Sequence, residues 1–143
     1  MAIKQLSIFV ENREGTLVNV TDAIAAAQVD IRAMSVADTN DFGIFRLIVT
    51  DYDKAKAALE EANCFVSITE VVGVAVEDQP GALAKVVKTL ADNNINIEYM
   101  YAFITVSKQY AFVVLRVADN DAAEKILTEN GVRLISEADI ASL

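Results

Sequence analysis

The sequence is poor in the residues on which most hydrolytic enzymes and zinc sites depend, with no histidine and one cysteine among its 143 residues. Without histidine the chain lacks the commonest general base and the commonest zinc ligand, and it cannot form a Ser-His-Asp or Cys-His catalytic arrangement. The single cysteine, Cys64, excludes a disulfide framework and a multi-cysteine metal site, and its simplest interpretation is a small buried hydrophobe. We therefore expect no metal ion and no other cofactor.

Basic residues are also few, with 12 Lys and Arg against 21 Asp and Glu and a net charge of -9. Nucleic acids and anionic membranes are poor partners for such a chain, because both require a basic surface. The apolar residues form no run of about 18, the length that indicates a transmembrane helix, and residues 1–4 lead directly into a strand pattern rather than a signal peptide. We expect a small protein of the reducing cytoplasm.

Apolar residues make up 54% of the chain and follow the periods of strands and helices. Residues 3–10 alternate between two faces, with Leu6, Ile8 and Val10 on one of them. Residues 17–27 place an apolar residue every three or four positions, which forms one face of a helix. The first half therefore predicts the order βαββαβ, completed by strands over residues 29–37, 43–50 and 64–70, a turn over 38–41, and a helix over 53–62 that Asp51 or Asp53 caps.

The second half repeats the first. Residues 11–37 match residues 77–103 at 7 of 27 positions, and residues 43–67 match residues 111–135 at 7 of 25 positions. The matching residues are a turn glycine and core-facing residues, as expected if both halves share one backbone.

The repeat predicts an α+β protein of two ferredoxin-like βαββαβ domains in tandem, at residues 1–70 and 71–143, with antiparallel sheets and helices on one face. No linker rich in Pro, Gly or Ser separates the halves, so we expect the two domains to be joined side by side. In the second half, Asp121 with Glu124 resembles a capping box, and Asn130-Gly131 is expected to end the last helix.

The predicted third strand of each half carries an outward face that is more apolar than an exposed surface needs. This face contains one arginine in each half, and its four other residues are apolar. We predict that it packs against another sheet in a homodimer, and the alternative is a set of ordinary exposed aliphatic residues. The residues concerned are Ile44, Arg46, Ile48, Phe112, Val114 and Arg116.

One turn follows the first strand of each half, as ENREGTL at residues 11–17 and EDQPGAL at residues 77–83. Each leads into a helix N-terminus, where unpaired backbone N–H groups favour a carboxylate or phosphate. Asn12 or Asp78 provides an oxygen nearby that can accept a hydrogen bond from an ammonium group. The pair of features matches the two ends of a free amino acid, and the simpler alternative is an ordinary strand-to-helix turn.

The second turn, followed by NNINI at residues 93–97, resembles the ACT domain, a small regulatory module of amino-acid metabolism. The first half is similar but has Glu14 in place of the proline. The resemblance implies amino-acid binding between copies, with contacts from the turn of one copy and the start of the second strand of its neighbour. The residues that it implies as ligand contacts are Asn12, Gly15, Thr16, Asp30, Asp78, Gly81, Ala82 and Asn96.

The resemblance implies a non-catalytic, allosteric regulatory protein that binds a small amino acid, forms a homodimer and acts on a regulated enzyme. A structural or assembly subunit without a ligand is the main alternative. An acyl-phosphate phosphatase would need a cationic cradle, for which Arg13 is the candidate although Glu11 and Glu14 flank it. An RNA-binding sheet would use the aromatic residues of the second half, but the chain has no basic flank to support it.

Overall fold

The structure is a computed structural model that describes residues 2–38, 41–104, 107 and 109–143. It divides into two compact units, which are Lys4–Thr69 and the pair of segments Met1–Ile3 and Glu70–Leu143. The predicted turn over residues 38–41 includes two residues that lie outside the described ranges. The predicted boundary at residues 70 and 71 stays a prediction.

The first unit contains the strands and helices of one βαββαβ sequence. Its elements are β1 (Ile3–Glu11), α1 (Thr16–Ala26), β2 (Ile31–Asp38), β3 (Phe42–Val49), α2 (Tyr52–Glu61) and the beginning of β4 (Phe65–Glu77). The strand order is β2-β3-β1-β4, and β3 is antiparallel to both β1 and β2.

The core of the first unit lies between one face of its sheet and the two helices. Alternation along β1 places Leu6, Ile8 and Val10 on this face, where they pack with Val20 and Ile24 of α1 among other buried residues. The opposite positions of β1 face away from the helices, and there Ser7 Oγ lies 3.2 Å from Thr69 Oγ1 at the beginning of β4.

The second unit repeats this plan from the later residues of β4 onward. Its further elements are α3 (Ala82–Asp92), β5 (Tyr99–Ala102), β6 (Tyr110–Arg116), α4 (Asn120–Glu129), β7 (Arg133–Ile135) and α5 (Glu137–Ser142). β4 pairs with β6 and β7, and β6 pairs with β5, all antiparallel. The prediction of an α+β protein with two βαββαβ units is therefore confirmed.

Of the three helix ends predicted from the sequence, two agree with the structure and one differs. Asp51 caps α2, because its carboxylate accepts a hydrogen bond from the Lys54 N–H at 3.1 Å. The predicted capping box at Asp121 is wrong, since Asp119 is the cap of α4 and accepts from Ala122 N–H at 3.0 Å. Asn130 ends α4, as predicted.

The C-terminal helix α5 was not predicted from the sequence. It begins with a capping box in which Ser136 and Asp139 exchange hydrogen bonds between side chain and backbone. Ile140 on this helix is almost fully buried, with 1% of its surface exposed. A segment of six residues carries too few apolar positions to reveal a helical period.

The outward face of the third strands is partly buried within a single chain. Ile48 is 1% exposed and Val114 is fully buried, while Ile44, Arg46 and Phe112 are half-buried. The predicted burial of this face therefore does not depend at every position on a second copy. The homodimer remains a prediction.

Candidate functional site

The two turns that precede α1 and α3 have the same backbone geometry. Gly15 and Gly81 are the N-cap residues, with φ of 86° and 87°, and neither helix receives a hydrogen bond from a capping side chain. A Cβ atom at either glycine would meet nothing within 4 Å, so the left-handed backbone, rather than lack of space, requires glycine here. The N–H groups of the first helical turn have no acceptor within their own helix.

The first turn is held closed by its own hydrogen bonds. Asn12 N–H donates to the Asp41 carbonyl at 3.0 Å, and the Thr16 hydroxyl lies 2.8 Å from the Glu11 carbonyl and 3.0 Å from that of Arg13. The Arg13 guanidinium forms an ion pair with the Glu11 carboxylate. Because this cation is paired inside the turn, it is poorly placed to form the cradle that phosphoryl chemistry would need.

In the second turn, one backbone N–H group at the start of the helix is already hydrogen-bonded. Asp78 N–H donates to the Gln109 carbonyl at 3.1 Å, as Asn12 does in the first unit. The Ala82 N–H, at the start of α3, donates to the Gln79 carbonyl at 3.2 Å. Both turns expose their polar side chain, Asn12 or Asp78, to solvent. The two turns are thus similar in shape but unequal in the donors that they offer.

The other predicted contacts lie at the far end of each unit. Asp30 precedes Ile31, which pairs with Val49, whereas Glu11 at the first turn pairs with Phe42. The seven residue steps from Phe42 to Val49 along β3 correspond to about 24 Å. Neither unit by itself brings the turn and the second-strand residue together.

Asn96 has the same place in the second unit as Asp30 has in the first. Two residues after Asn96, the Glu98 backbone N–H donates to the Arg116 carbonyl at the far end of β6. The Asp30 carboxylate lies 3.2 Å from Arg32 Nη1, so its charge is balanced locally. The Asp30 backbone N–H donates to the Thr50 hydroxyl at 3.1 Å, and this hydrogen bond fixes the backbone at the start of β2.

A cleft of about 690 Å³ lies beside the first turn, within the first unit. Two predicted residues, Gly15 and Thr16, line it. Sequence reasoning did not assign the remaining lining residues, which include Phe9, Asn19, Phe42, Cys64 and Phe65.

The three phenylalanines of this cleft are strongly exposed, at 63% for Phe9, 53% for Phe42 and 80% for Phe65. One signal was present in the sequence, because Phe9 occupies the outward position of an alternating strand.

The second unit has a cleft at the equivalent place, of about 290 Å³. Of the predicted residues, Ala82 lines it. Ala75, Tyr110 and Arg133 take the positions of the three phenylalanines, and the Arg133 guanidinium carbon lies 5.6 Å from the centre of the Tyr110 ring. This cation–π contact occupies part of the surface that the first unit leaves open.

Cys64 is the thiol that lines the first cleft. Burial raises the pKa of the Cys64 thiol above its ordinary value of 9.0, so the thiol is protonated at neutral pH and a weak nucleophile. No group of three His, Cys, Asp or Glu residues in the described ranges could hold a metal ion. Among the same residues, no helix is long and apolar enough to cross a membrane.

Comparisons with known proteins agree with this geometry. The crystal structure of protein BT0572 from Bacteroides thetaiotaomicron is 41% identical, covers 100% of this chain and 98% of its own, and has a TM-score of 0.93. The ligand-free regulatory subunit of aspartate kinase from Thermus thermophilus shares the fold at 16% identity, with 90% and 92% of the two chains covered and a TM-score of 0.63.

A similar match is the regulatory subunit of aspartate kinase from Thermus flavus, at 17% identity, with 88% and 90% of the two chains covered and a TM-score of 0.59. No curated protein sequence matches this chain. The family model for an ACT domain pair matches residues 1–143, and the chain therefore belongs to the family of ACT domain pairs.

Proposed function

We propose that this chain is a non-catalytic regulatory protein of amino-acid metabolism that binds a free amino acid, as a small-molecule ligand, at the turns before α1 and α3. The observation that supports it best is the pair of uncapped helix N-termini at Gly15 and Gly81, each beside an exposed side-chain oxygen of Asn12 or Asp78. Backbone N–H groups attract the ligand carboxylate, and the side-chain oxygen accepts from its ammonium group.

The strength of such a site is set by a few charge-assisted hydrogen bonds. Each contributes on the order of 1.5–3 kcal/mol. Two or three of them give micromolar to millimolar affinity once the cost of ordering the ligand is subtracted. That range suits a sensor of a metabolite pool.

The start of a second strand completes the proposed site, through Asp30 or Asn96 of a neighbouring copy. The Asp30 carboxylate is paired with Arg32, which reduces its repulsion of a ligand carboxylate. The site at Gly81 and Ala82 is the weaker of the two for an anion, because the Ala82 N–H already has an acceptor.

The proposed regulatory role includes a homodimer and a regulated enzyme as partners. The Thermus relatives, by name regulatory subunits of aspartate kinase, support it as examples of the same fold in regulatory polypeptides. The paired Arg13 and the protonated Cys64 support a non-catalytic role, since they leave neither a phosphate cradle nor a reactive thiolate.

The proposal is tested by a thermal-shift screen of the full chain against the twenty amino acids. At about a hundredfold excess over the dissociation constant, a ligand stabilises the folded protein by about 2.7 kcal/mol. We expect at least one amino acid to raise the midpoint in a concentration-dependent way.

The site assignment is tested by Asp78→Ala, with Asp92→Ala as its matched control. Asp92 is an exposed carboxylate at the other end of α3, so both variants remove one negative charge. Loss of a charge-assisted hydrogen bond predicts that Asp78→Ala weakens binding about tenfold or more without unfolding the chain. Equal affinities in the two variants, measured by calorimetry, would refute the role of Asp78.

An assembly subunit without a ligand is the second candidate, favoured by the occupied Ala82 N–H. It predicts no thermal shift with any amino acid. For both candidates we expect light scattering at micromolar concentration to give the mass of a dimer, and a monomer mass would remove the homodimer.

A further inference from the structure

The cleft of the first unit differs from its counterpart in the second unit in size and in lining. Its volume is about 690 Å³, against about 290 Å³. Both volumes belong to the same place in the repeat, at the end of the sheet beside the strand-to-helix turn. The difference therefore comes from side chains and not from the backbone plan.

The lining of the first cleft is aromatic on the side that faces away from the helices. Phe9 on β1 pairs with Ile44 on β3, and two residues further along β1 Glu11 pairs with Phe42 at the end of the sheet. Three separate strands thus contribute Phe9, Phe42 and Phe65 to one cleft, where each is more than half exposed. Exposing three large rings in one place carries a hydrophobic cost, and such patches commonly mark binding sites.

The rim of the same cleft is polar and carries both signs of charge. It contains the Glu11–Arg13 ion pair, the Glu14 carboxylate and the side chains of Thr16 and Asn19. Apolar walls with a few polar groups at one end describe a pocket for a small ligand, and a volume between about 300 and 1,000 Å³ is usual.

We propose that the first unit selects amino acids with a large apolar or aromatic side chain, which lies against Phe9, Phe42 and Phe65. This inference rests on the proposed function and names the class of ligand for one of its two sites. Aromatic pairs and large apolar surfaces supply the discrimination, because a small side chain such as that of alanine would leave the three rings in water. The second unit lacks this selectivity, since Arg133 and Tyr110 contact each other in the equivalent cleft.

The test compares L-phenylalanine, L-leucine, L-alanine and L-serine as ligands of the full chain by calorimetry. We expect phenylalanine and leucine to bind at least about tenfold more tightly than alanine, since even one methylene in an apolar pocket changes affinity by tenfold or more. Serine is expected to bind no better than alanine.

Two variants assign this preference to the cleft. Phe42→Ala removes one wall, and Phe65→Arg installs the residue of the second unit at a position that is 80% exposed, so folding is preserved. Each is expected to reduce phenylalanine affinity about tenfold while leaving alanine affinity unchanged. Met34→Ala, which trims another half-exposed apolar residue of the same unit outside the cleft, is the control and should leave the preference intact.

Three results would overturn the inference. If alanine or serine binds as tightly as phenylalanine, the proposed amino-acid binding stands but the apolar selectivity is wrong. If Phe42→Ala and Phe65→Arg keep the preference for phenylalanine, the rings do not contact the ligand. If these variants also convert a dimer to a monomer, the rings contact a second copy instead. If no amino acid binds, the proposed function fails as well.

Discussion

Gly15 and Gly81 are the residues whose identity the backbone constrains most clearly. Both have φ near +86°, a conformation that costs other L-residues roughly 1–2 kcal/mol. The comparison of the two halves of the sequence found both glycines as matching turn residues. The open space around each Cα shows that backbone conformation is sufficient to require glycine.

We predict that Gly15→Ala lowers the free energy of unfolding by about 1 kcal/mol, because alanine at positive φ is strained and no contact offsets the strain. Urea unfolding of the full chain measures this loss. Gly15→Asn is the control and should lose less, since asparagine tolerates the left-handed region better. An alanine variant as stable as the parent would contradict the assigned backbone geometry.

Among the site residues, only those within a single turn could be predicted from local turn chemistry. Asn12, Gly15 and Thr16 are adjacent in sequence and therefore close in space, as are Asp78, Gly81 and Ala82. The roles of Asp30 and Asn96 came from family resemblance alone, and each lies at the opposite end of its unit from the turn.

At the scale of elements, α5 shows how a short helix depends on its cap. Hydrogen bonds from the Ser136 backbone and side chain lower the pKa of Asp139 below its ordinary value of 3.8, and Arg133 contributes to the same effect. Because the carboxylate is favoured by the folded state, its contribution to stability is fully present above the unfolded pKa. That contribution is lost as the pH falls through the folded pKa.

We predict that Asp139→Asn destabilises the chain at about pH 6 and that its difference from the parent shrinks as the pH falls through the lowered pKa of Asp139, where the parent carboxylate becomes protonated. Thermal unfolding of both proteins across this pH range measures the difference. Glu129→Gln, which removes an exposed carboxylate at the end of α4, is the charge control. A difference that does not change with pH would show that Asp139 does not act through its charge.

At the scale of the whole molecule, the first residues of the chain belong to the compact unit that contains its second half. Ile3 belongs to the same compact unit as Glu70–Leu143, although β1 continues into the other unit. Gly73 on β4 accommodates this arrangement, because a Cβ atom there would lie 3.1 Å from Ile3 Cδ1 and 3.2 Å from Ile135 Cβ.

We predict that Gly73→Ala costs about 1–3 kcal/mol through overpacking. Ile3→Val removes the Cδ1 atom that the new methyl group would meet, so it should cost less in the Gly73→Ala background than in the parent. A double-mutant cycle by urea unfolding should give a coupling energy of about 0.5 kcal/mol or more. Strictly additive losses would mean that Ile3 and Gly73 do not share this contact.

Local patterns in the sequence were sufficient to predict the order of most elements and the duplicated turn, because alternation, helical spacing and turn residues depend on neighbouring positions. The alternation of Leu6, Ile8 and Val10 predicted a strand with one buried face. The two turn glycines predicted the starts of two helices. The sequence could not locate α5, whose single buried isoleucine forms no period.

The lining of the cleft in the first unit became known only from the folded chain. Phe9, Phe42 and Phe65 are separated by more than twenty residues each, and only strand pairing brings them to one end of a sheet. The same pairing sets Asp30 and the first turn about 24 Å apart along β3. Strand pairing of this kind joins segments that are distant in the sequence, and the local pattern of a single sequence does not show which segments pair.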